Sequence, residues 1–174
     1  MNPKYELRIV NSSTQDIETI FTFYDYAIAH QKKVSEKHWL GFERNMIESE
    51  IEQNRQWKIV SDGQVVCVFA TTFHDPEIWG EKDAQPAIYL HRISTHPDYR
   101  GQFWVKHIAE WAKVYGKRMG KEFVRLDTWG DNPKLIAYYE ACGFTFLGTM
   151  QVSEAGELPK HYNSTVLGLF EMAI

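Results

Sequence analysis

The sequence predicts an α/β fold of the α+β type, with a mixed sheet of about seven strands and about four helices on its faces. Three observations support this prediction. Short apolar segments of strand character alternate with longer segments whose apolar residues recur at helical spacing. Asp62-Gly63 is a strong hairpin-turn signal. Gly120 and Asn132-Pro133 stand where helices commonly end and begin. The predicted order is β-α-α-β-β-β-α-β-α-β-β.

The N-terminal third predicts one strand followed by two helices. Leu7 and Ile9 alternate with polar neighbours in a strand pattern that ends at Asn11. Ser13 with Asp16 three residues later resembles a capping box, and apolar residues then recur at helical spacing. The expected elements are a strand over Glu6 to Val10 and helices over Thr14 to His30 and Glu36 to Asn54.

The middle of the chain predicts a hairpin followed by a polar segment. The first strand covers Trp57 to Ser61. The return strand, Val65 to Phe73, is nearly continuous in apolar and β-branched residues, as is typical of a central strand. Residues 74–86 are polar, and their acidic members are Asp75, Glu77, Glu81 and Asp83. This segment is either a solvated loop, which we favour, or an acidic rim that attracts a cationic substrate.

The second half predicts alternating strands and helices. Gly120 ends the first helix, whose buried stripe includes Val105, Ile108 and Met119. Asn132 caps the second helix and Gly143 closes it. The predicted elements are a strand over Ala87 to Thr95, a helix over Gln102 to Met119, a strand over Phe123 to Trp129, a helix running to Ala141, and strands over Phe144 to Val152 and Thr165 to Met172.

Length and composition indicate one soluble domain over residues 1–174. Hydrophobic residues make up 44% and charged residues 24% of the chain, which is ordinary for a globular protein. A net charge of −4 argues against a general nucleic-acid binder. We find no secretory signal and no apolar run of membrane-spanning length. We therefore expect a cytoplasmic protein without a membrane partner, with reduced thiols at Cys67 and Cys142.

The stretch Ile88 to Gln102 (IYLHRISTHPDYRGQ) predicts a phosphate site. The first-turn N–H groups of a helix have no partner within the helix, and they lie at the positive end of its dipole. A strand that leads through Arg100-Gly101 into a helix therefore suits an anionic phosphate group.

Two stretches resemble the motifs of the Gcn5-related N-acetyltransferase (GNAT) superfamily. They are HRISTHPDYRGQ (residues 91–102) and NPKLIAYYEACGF (residues 132–144). The element order and length fit the family over nearly the whole chain. The resemblance implies a three-layer α/β/α domain that moves an acetyl group from acetyl-CoA, its co-substrate, to a primary amine of a small molecule or peptide. No histidine or cysteine spacing indicates a metal site.

The resemblance also implies which residues contact the coenzyme. The backbone of Ile93, Ser94 and Thr95 would pair with pantetheine like an added strand. Asn132 would face the pantetheine arm. The pyrophosphate would lie over Arg100, Gly101, Gln102, Phe103, Trp104 and Val105.

Acetyl transfer needs a proton donor for the leaving thiolate. Tyr139 falls where the family often has its general acid, and a tyrosine stays protonated at neutral pH. Tyr138 is its rival, because neighbours on a helix point about 100° apart and only one can face the site. Tyr139 also has a structural interpretation, as a core-packing residue. The motif favours Tyr139 as the acid.

The base is sought along the predicted strand. Alternation places Ala87, Tyr89, His91 and Ile93 on one face and Ile88, Leu90, Arg92 and Ser94 on the other. His91 is the titratable group nearest the expected thioester, and histidine titrates near neutrality. We assign His91 as the base, alone or through a water, against the alternative of a core histidine bonded to backbone. Asp127 is a further pocket candidate.

One departure from the family pattern leaves the function open. Phe103 and Val105 stand where the family usually has glycine or alanine, so Phe103 either crowds the pyrophosphate or turns its ring away. Val105 falls on the buried stripe. The leading hypothesis is an acyl-CoA-dependent N-acetyltransferase. The alternatives are a non-catalytic CoA-binding or regulatory module and a degenerate fold used for protein association. Exposed edge strands leave a homodimer open.

Overall fold

The computed structural model describes residues 6–174. Residues 1–5 lie outside this range. They belong to the N-terminal segment in which we expect no secretory signal. The strands are β1 (Leu7–Asn11), β2 (Gln56–Ser61), β3 (Gln64–Thr72), β4 (Ala87–Thr95), β5 (Phe123–Trp129), β6 (Thr145–Val152) and β7 (Thr165–Ala173). The helices are α1 (Ile17–Val34), α2 (Arg44–Glu52), α3 (Pro76–Trp79), α4 (Trp104–Arg118) and α5 (Pro133–Ala141).

The strands form one mixed sheet in the order β1-β2-β3-β4-β5-β7-β6. β4 and β5 pair in parallel. The pairs β1–β2, β2–β3, β5–β7 and β6–β7 are antiparallel. The predicted α/β fold with a mixed sheet of seven strands is therefore confirmed.

The chain divides into two compact units, and each is described separately. The first comprises the described residues through Thr71 together with Arg92–Trp104. Its core lies between α1, α2 and β3, where helical spacing on α1 and α2 brings one apolar face of each helix inward. The buried members of this core are Ile17, Ile20, Phe23, Tyr24, Ile47, Ile51 and Val68.

The second unit comprises Thr72–His91 and Val105–Ile174. It contains α3, α4, α5 and β5 to β7, and it includes Ala87–His91 of β4. Val105 and Ile108 of α4 are buried, as the predicted stripe requires, whereas Met119 is 47% exposed. One buried cluster of this unit consists of Ile78, Trp79, Ala87, Tyr89, Val152 and Leu167.

The predicted helix over Glu36 to Asn54 is wrong for its first eight residues. Helix α1 continues to Val34, four residues beyond the prediction, and α2 begins only at Arg44. Gly41 has φ +107°, which no helix residue adopts, and this conformation keeps the intervening segment irregular. Trp39 and Phe42, which we had placed on the helix, still pack against the core of the first unit.

Other local predictions are close to the structure. Asp62 and Gly63 both have positive φ, as a two-residue hairpin turn requires. The Ser13–Asp16 capping box is present, although a 3₁₀ turn precedes the α-helix that begins at Ile17. Helix α4 begins at Trp104 rather than Gln102. Among residues 6–174, no helix is long and apolar enough to cross a membrane.

Candidate active site

In the first unit, Arg92 of β4 departs from the regular strand conformation. This residue has φ +51°, a left-handed conformation that is strained for a side chain of this size. The strict alternation that we predicted along β4 is therefore wrong beyond His91, because a left-handed residue breaks the two-residue period. Ser94, two residues after Arg92, is buried at 2% exposure. Its hydroxyl donates to the carbonyl of Arg92 at 3.2 Å.

A buried charge network holds Arg92 in this conformation. Both Glu50 carboxylate oxygens accept from its guanidinium at 2.5 Å, and Tyr24 accepts from Nε at 3.3 Å. The guanidinium also lies over the Phe42 ring at 5.3 Å. Burial acts to lower the pKa of Arg92, but Tyr24 and Glu50 outweigh it and raise that pKa. Gln56 donates to Glu50 at 2.6 Å, so both charges have partners.

The loop after β4 carries the predicted phosphate-binding residues. Arg100 directs its guanidinium toward α1, where it lies 3.4 Å from His30 Nδ1 and donates to the Tyr26 carbonyl at 3.3 Å. Gly101 and Phe103 both have positive φ, +79° and +53°. The loop thus has a glycine-like backbone at two positions, although only one of them is glycine.

Two neighbouring aromatic side chains of this loop differ in burial. Phe103 is 46% exposed. Trp104 next to it is buried at 6%, and its indole N–H donates to the Tyr99 carbonyl at 2.7 Å. The first-turn N–H groups of α4 have no helical partner, which is the feature that an anion such as a phosphate group would use.

In the second unit, α5 carries Asn132 and Tyr139. Asn132 caps the helix, as predicted, and its Oδ1 accepts from the Leu135 N–H at 3.1 Å. The Tyr139 ring lies 5.1 Å from Phe170, centre to centre, on the sheet side of the helix. Burial is the first cause that raises the pKa of Tyr139, and a hydrogen bond with Thr128 partly opposes it. Tyr139 is thus inward-facing and stays protonated at neutral pH.

His91 lies in a cluster with two carboxylates. Its Nε2 is 3.4 Å from Asp75 Oδ2. One ligand-type atom from each of Asp75, His91 and Asp127 lies within 4.8 Å of the others. The three residues come from the N-cap of α3, from β4 and from β5, and we call them the carboxylate–imidazole cluster. It comprises two acids and one base, so it can accept protons or bind a cation.

Asp127 carries the largest pKa change in this cluster. Burial and the nearby Asp75 carboxylate raise the pKa of Asp127 to about 6, while the charge of His91 and the Tyr162 hydroxyl act to lower it. That hydroxyl donates to Asp127 Oδ2 at 3.4 Å. The pairing of β4 with β5 includes Leu90 and Leu126, immediately before Asp127, and Asp127 itself pairs with Leu169 of β7.

Our favoured interpretation of residues 74–86 as a solvated loop is wrong for part of the segment. It folds into α3 and a 3₁₀ turn over Gly80–Ala84, and Ile78 and Trp79 are buried. Asp75 is also buried, at 8% exposure, so it is no rim residue. Its N–H donates to Asp83 Oδ1 at 2.8 Å. Glu77 and Glu81 are exposed, which agrees with a solvated loop and equally with an acidic rim.

Arg125 explains why this segment is ordered. Its fully buried guanidinium donates to the Lys82 carbonyl at 2.7 Å and to Gln85. It also donates to Glu171 of β7 at 2.8 Å. The Trp79 ring lies 4.9 Å from the guanidinium. The sequence analysis missed this contact, although a charged residue inside the apolar run FVRL was a signal of a buried ion pair.

Sequence reasoning found His91 and named Asp127 but did not connect them. Asp75 was counted only as one of several acids in a polar segment. The signal available was its place directly before Pro76, since Asp-Pro is a common helix start. Sequence cannot show that this helix start lies beside Asp127 of β5. The two segments are far apart in the chain and meet only in the tertiary structure.

The comparisons with known proteins agree with this fold. A model of the acetyltransferase (GNAT) family matches residues 15–144. The chain therefore belongs to the acetyltransferase (GNAT) family. A curated relative, the uncharacterised N-acetyltransferase YesJ of Bacillus subtilis, is 26% identical over 106 residues. That match covers 59% of this chain and 59% of YesJ.

Solved structures share the fold over nearly the whole chain. A GNAT-family acetyltransferase from Listeria monocytogenes superposes with a TM-score of 0.74 at 21% identity, covering 98% of this chain and 95% of that one. The protein YncA from Salmonella typhimurium, whose structure was solved with its cofactor acetyl-CoA, gives a TM-score of 0.68 at 13% identity, covering 97% of this chain and 94% of that one. A polyamine N-acetyltransferase of Drosophila melanogaster that forms N-acetylagmatine gives 0.67 at 12% over 97% and 100%.

Proposed function

We propose that this protein, as a single domain over residues 1–174, transfers an acetyl group from acetyl-CoA to a primary amine of a small molecule or peptide. The observation that carries the proposal is His91 in contact with a buried aspartate at 3.4 Å, in a chain of this family. A neutral imidazole oriented by a carboxylate is a recurring arrangement for a general base. A chain that only bound CoA would have no use for a base.

The proposal assigns a role to each predicted residue. His91 accepts a proton from the amine, and Tyr139 donates one to the leaving thiolate. The backbone of Ile93 to Thr95 pairs with pantetheine, and the loop from Arg100 to Val105 receives the pyrophosphate. Asn132 faces the pantetheine arm, and it also caps α5, the helix that carries Tyr139.

The test is calorimetric titration with acetyl-CoA, followed by an assay of CoA thiol release with a panel of primary amines. We expect micromolar binding, about −8 kcal/mol, and amine-dependent thiol release. Binding without release on any amine would support the non-catalytic module instead. Absence of binding at millimolar acetyl-CoA would contradict both and favour a role in protein association.

A further inference from the structure

Asp75 occupies the N-cap of α3 but does not cap that helix. An N-cap aspartate ordinarily accepts from an N–H of the first helical turn, and the Asp75 side chain accepts none there. Its Oδ2 instead lies 3.4 Å from Nε2 of His91, and among the described residues no other donor reaches this oxygen. Because a buried carboxylate oxygen requires a donor, the imidazole N–H is the group that satisfies it. The Asp75 side chain therefore serves His91 and not the helix that follows.

Asp83 holds the backbone of Asp75. Its Oδ1 accepts from the Asp75 N–H at 2.8 Å, and its side chain is only 11% exposed. Burial acts to raise the pKa of Asp83, but hydrogen bonds that include those from the Asp75 N–H and the Tyr89 hydroxyl outweigh burial and lower that pKa. Asp83 is therefore ionised at neutral pH, and a hydrogen bond to a carboxylate is stronger than one between neutral groups.

Arg125 fixes the turn that carries Asp83. Its guanidinium, which is fully buried, donates to the Lys82 carbonyl at 2.7 Å and to Gln85. These two residues lie on either side of Asp83 in the chain. Asp83 therefore belongs to a segment whose backbone is held in place, so its carboxylate can in turn hold another residue.

Tyr89 connects this network to the strand that carries His91. Burial and Asp83 raise the pKa of Tyr89 to about 12, so its hydroxyl keeps the proton and donates it to Asp83. The same hydroxyl accepts from Arg125 at 3.3 Å. Tyr89 precedes His91 by two residues on β4. The network thus begins on β4 at Tyr89 and returns to β4 through Asp75, which fixes the carboxylate of Asp75 relative to the imidazole.

We propose that Asp83 is a positioning residue for the base. It holds Asp75 against Nε2 of His91, so Nε2 carries the ring proton and Nδ1 is the atom that accepts a proton from the amine. The inference rests on the proposed function and deepens it. In a neutral imidazole one nitrogen carries a proton and the other accepts one, and a carboxylate bonded to one nitrogen selects the tautomer. The His91 side chain is 21% exposed, which leaves an approach for an amine or a water.

The proton balance follows from this tautomer. Nδ1 takes one proton from the attacking amine, and His91 becomes an imidazolium with a proton on each nitrogen. The carboxylate of Asp75 stabilises that cation, and Asp127 is the other charged group beside it. Nδ1 then returns the proton to water, and the starting tautomer is restored.

Nitrogen-15 NMR of the full chain labelled with ¹⁵N-histidine tests the tautomer directly. His91→Ala identifies the His91 signals among those of the seven histidines. At a pH where the imidazole is neutral, we expect the proton on Nε2 in wild type and a mixture of tautomers in Asp83→Ala. A proton on Nδ1 of wild-type His91 would overturn the inference, and an unchanged tautomer in Asp83→Ala would overturn the role of Asp83.

A double-mutant cycle separates positioning from a merely structural role. The cycle compares kcat of Asp83→Ala, Asp75→Ala and the double variant, at saturating acetyl-CoA, with the panel amine on which wild type is most active. We expect kcat to fall by about 10-fold in Asp83→Ala and by about 10- to 100-fold in Asp75→Ala, with acetyl-CoA affinity within twofold of wild type. Because Asp83 acts through Asp75, the double variant should be no slower than Asp75→Ala. An equal fall in both backgrounds, or no fall in Asp83→Ala, would overturn the inference.

The matched control is Glu122→Gln, which removes one exposed carboxylate just before β5 and should leave kcat and the tautomer unchanged. Thermal melting checks that each variant is folded. If Asp83→Ala unfolds, Asp83→Asn takes its place, with a smaller expected fall in kcat because its amide oxygen still accepts from the Asp75 N–H. Absence of acetyl-CoA binding, or of amine-dependent thiol release, in wild type would instead contradict the proposed function.

Discussion

Asp127 is ionised at neutral pH in a place where burial opposes its charge. Its neighbours are His91 on β4, Asp75 before α3, Tyr162 after β6, and Tyr139 on α5, whose own pKa its charge raises. Among these four neighbours, only a protonated His91 would carry a positive charge that neutralises the Asp127 carboxylate. The protein thus keeps a carboxylate at an energetic disadvantage, which is common where a residue serves binding rather than folding.

This disadvantage predicts that Asp127→Asn stabilises the protein at pH 7.5. The folded-state pKa of about 6 lies above the unfolded value of about 3.9. Between these values the folded state binds more protons, so wild-type stability falls as the pH rises through 4 to 6. Asparagine does not titrate, so the Asp127→Asn variant lacks this pH-dependent fall in the free energy of unfolding. We expect its free energy of unfolding to exceed that of wild type by about 1–2 kcal/mol at pH 7.5, with the gap closing toward pH 4.

Urea unfolding at pH 7.5 and at pH 4.5 measures this difference. Glu122→Gln serves as the control for removal of an exposed carboxylate and should show no pH-dependent gap. A destabilised Asp127→Asn variant at pH 7.5 would mean that Asp127 serves the fold, and it would remove the argument for strain at this position.

His91→Ala should lower kcat and flatten its dependence on pH below neutrality. The imidazole accepts the amine proton only when neutral, so the acid limb of kcat reports a base of this kind. His74→Ala is the matched control, since His74 also has an aspartate neighbour, Asp83 at 3.6 Å, but is 80% exposed. An unchanged kcat profile in His91→Ala would exclude His91 as the base.

Tyr139→Phe should slow turnover by about 100-fold while acetyl-CoA affinity changes less than twofold. The ring and its packing on Phe170 remain, and only the proton donor is lost. Tyr138→Phe is the control on the same helix and should retain most activity. Stopped assays give kcat, and calorimetry gives the affinity. A large loss of affinity in Tyr139→Phe would make the residue a structural one.

Phe103→Gly should stabilise the loop and preserve or tighten acetyl-CoA binding. Phe103 has φ +53°, which glycine adopts without strain, so the gain should be about 0.5–1 kcal/mol after the entropy of the unfolded glycine is counted. Phe103→Ala keeps the strain and removes the ring, so it separates the two effects. Denaturation and calorimetry on both variants test this. Weaker binding in both would show that the ring itself contributes to the site.

At the scale of elements, β4 depends on α2 for its shape. Arg92 adopts its left-handed conformation with Glu50 of α2 as its carboxylate partner, and the residues that follow it are those proposed to pair with pantetheine. The strand sequence by itself predicts regular alternation. Only the buried ion pair shows why the strand departs from it.

Glu50→Gln should therefore destabilise the protein by about 3 kcal/mol, because it leaves the Arg92 guanidinium buried without its counter-charge. Glu48→Gln, on the same helix, breaks only the exposed pair with Arg44, whose members are 45% and 55% exposed, and should cost less than about 1 kcal/mol. Urea unfolding compares the two. Equal small effects would mean that Arg92 holds its conformation without Glu50.

At the scale of the whole molecule, the order of strands and helices along the chain and the family were within reach of the sequence. Strand periodicity, the Asp62-Gly63 turn and the caps at Ser13 and Asn132 are local properties, so their consequences can be predicted from neighbouring residues. Helix α5 and strands β4 and β5 have the boundaries that these signals indicate. The prediction of a helix over residues 36–43 was wrong. The aromatic residues there have helical spacing, but Gly41 adopts a conformation that propensity alone does not reveal.

The sequence by itself therefore determined the fold class, the family motifs and most element boundaries, because each depends on residues close together in the chain. The tertiary structure decided that Asp75 is buried beside His91 and Asp127, that Arg125 binds residues 82–85 to β5, and that Phe103 is exposed while Trp104 is buried. These features depend on which distant segments meet. Burial and the proximity of charges, which set the chemistry of the proposed active site, arise only from that meeting.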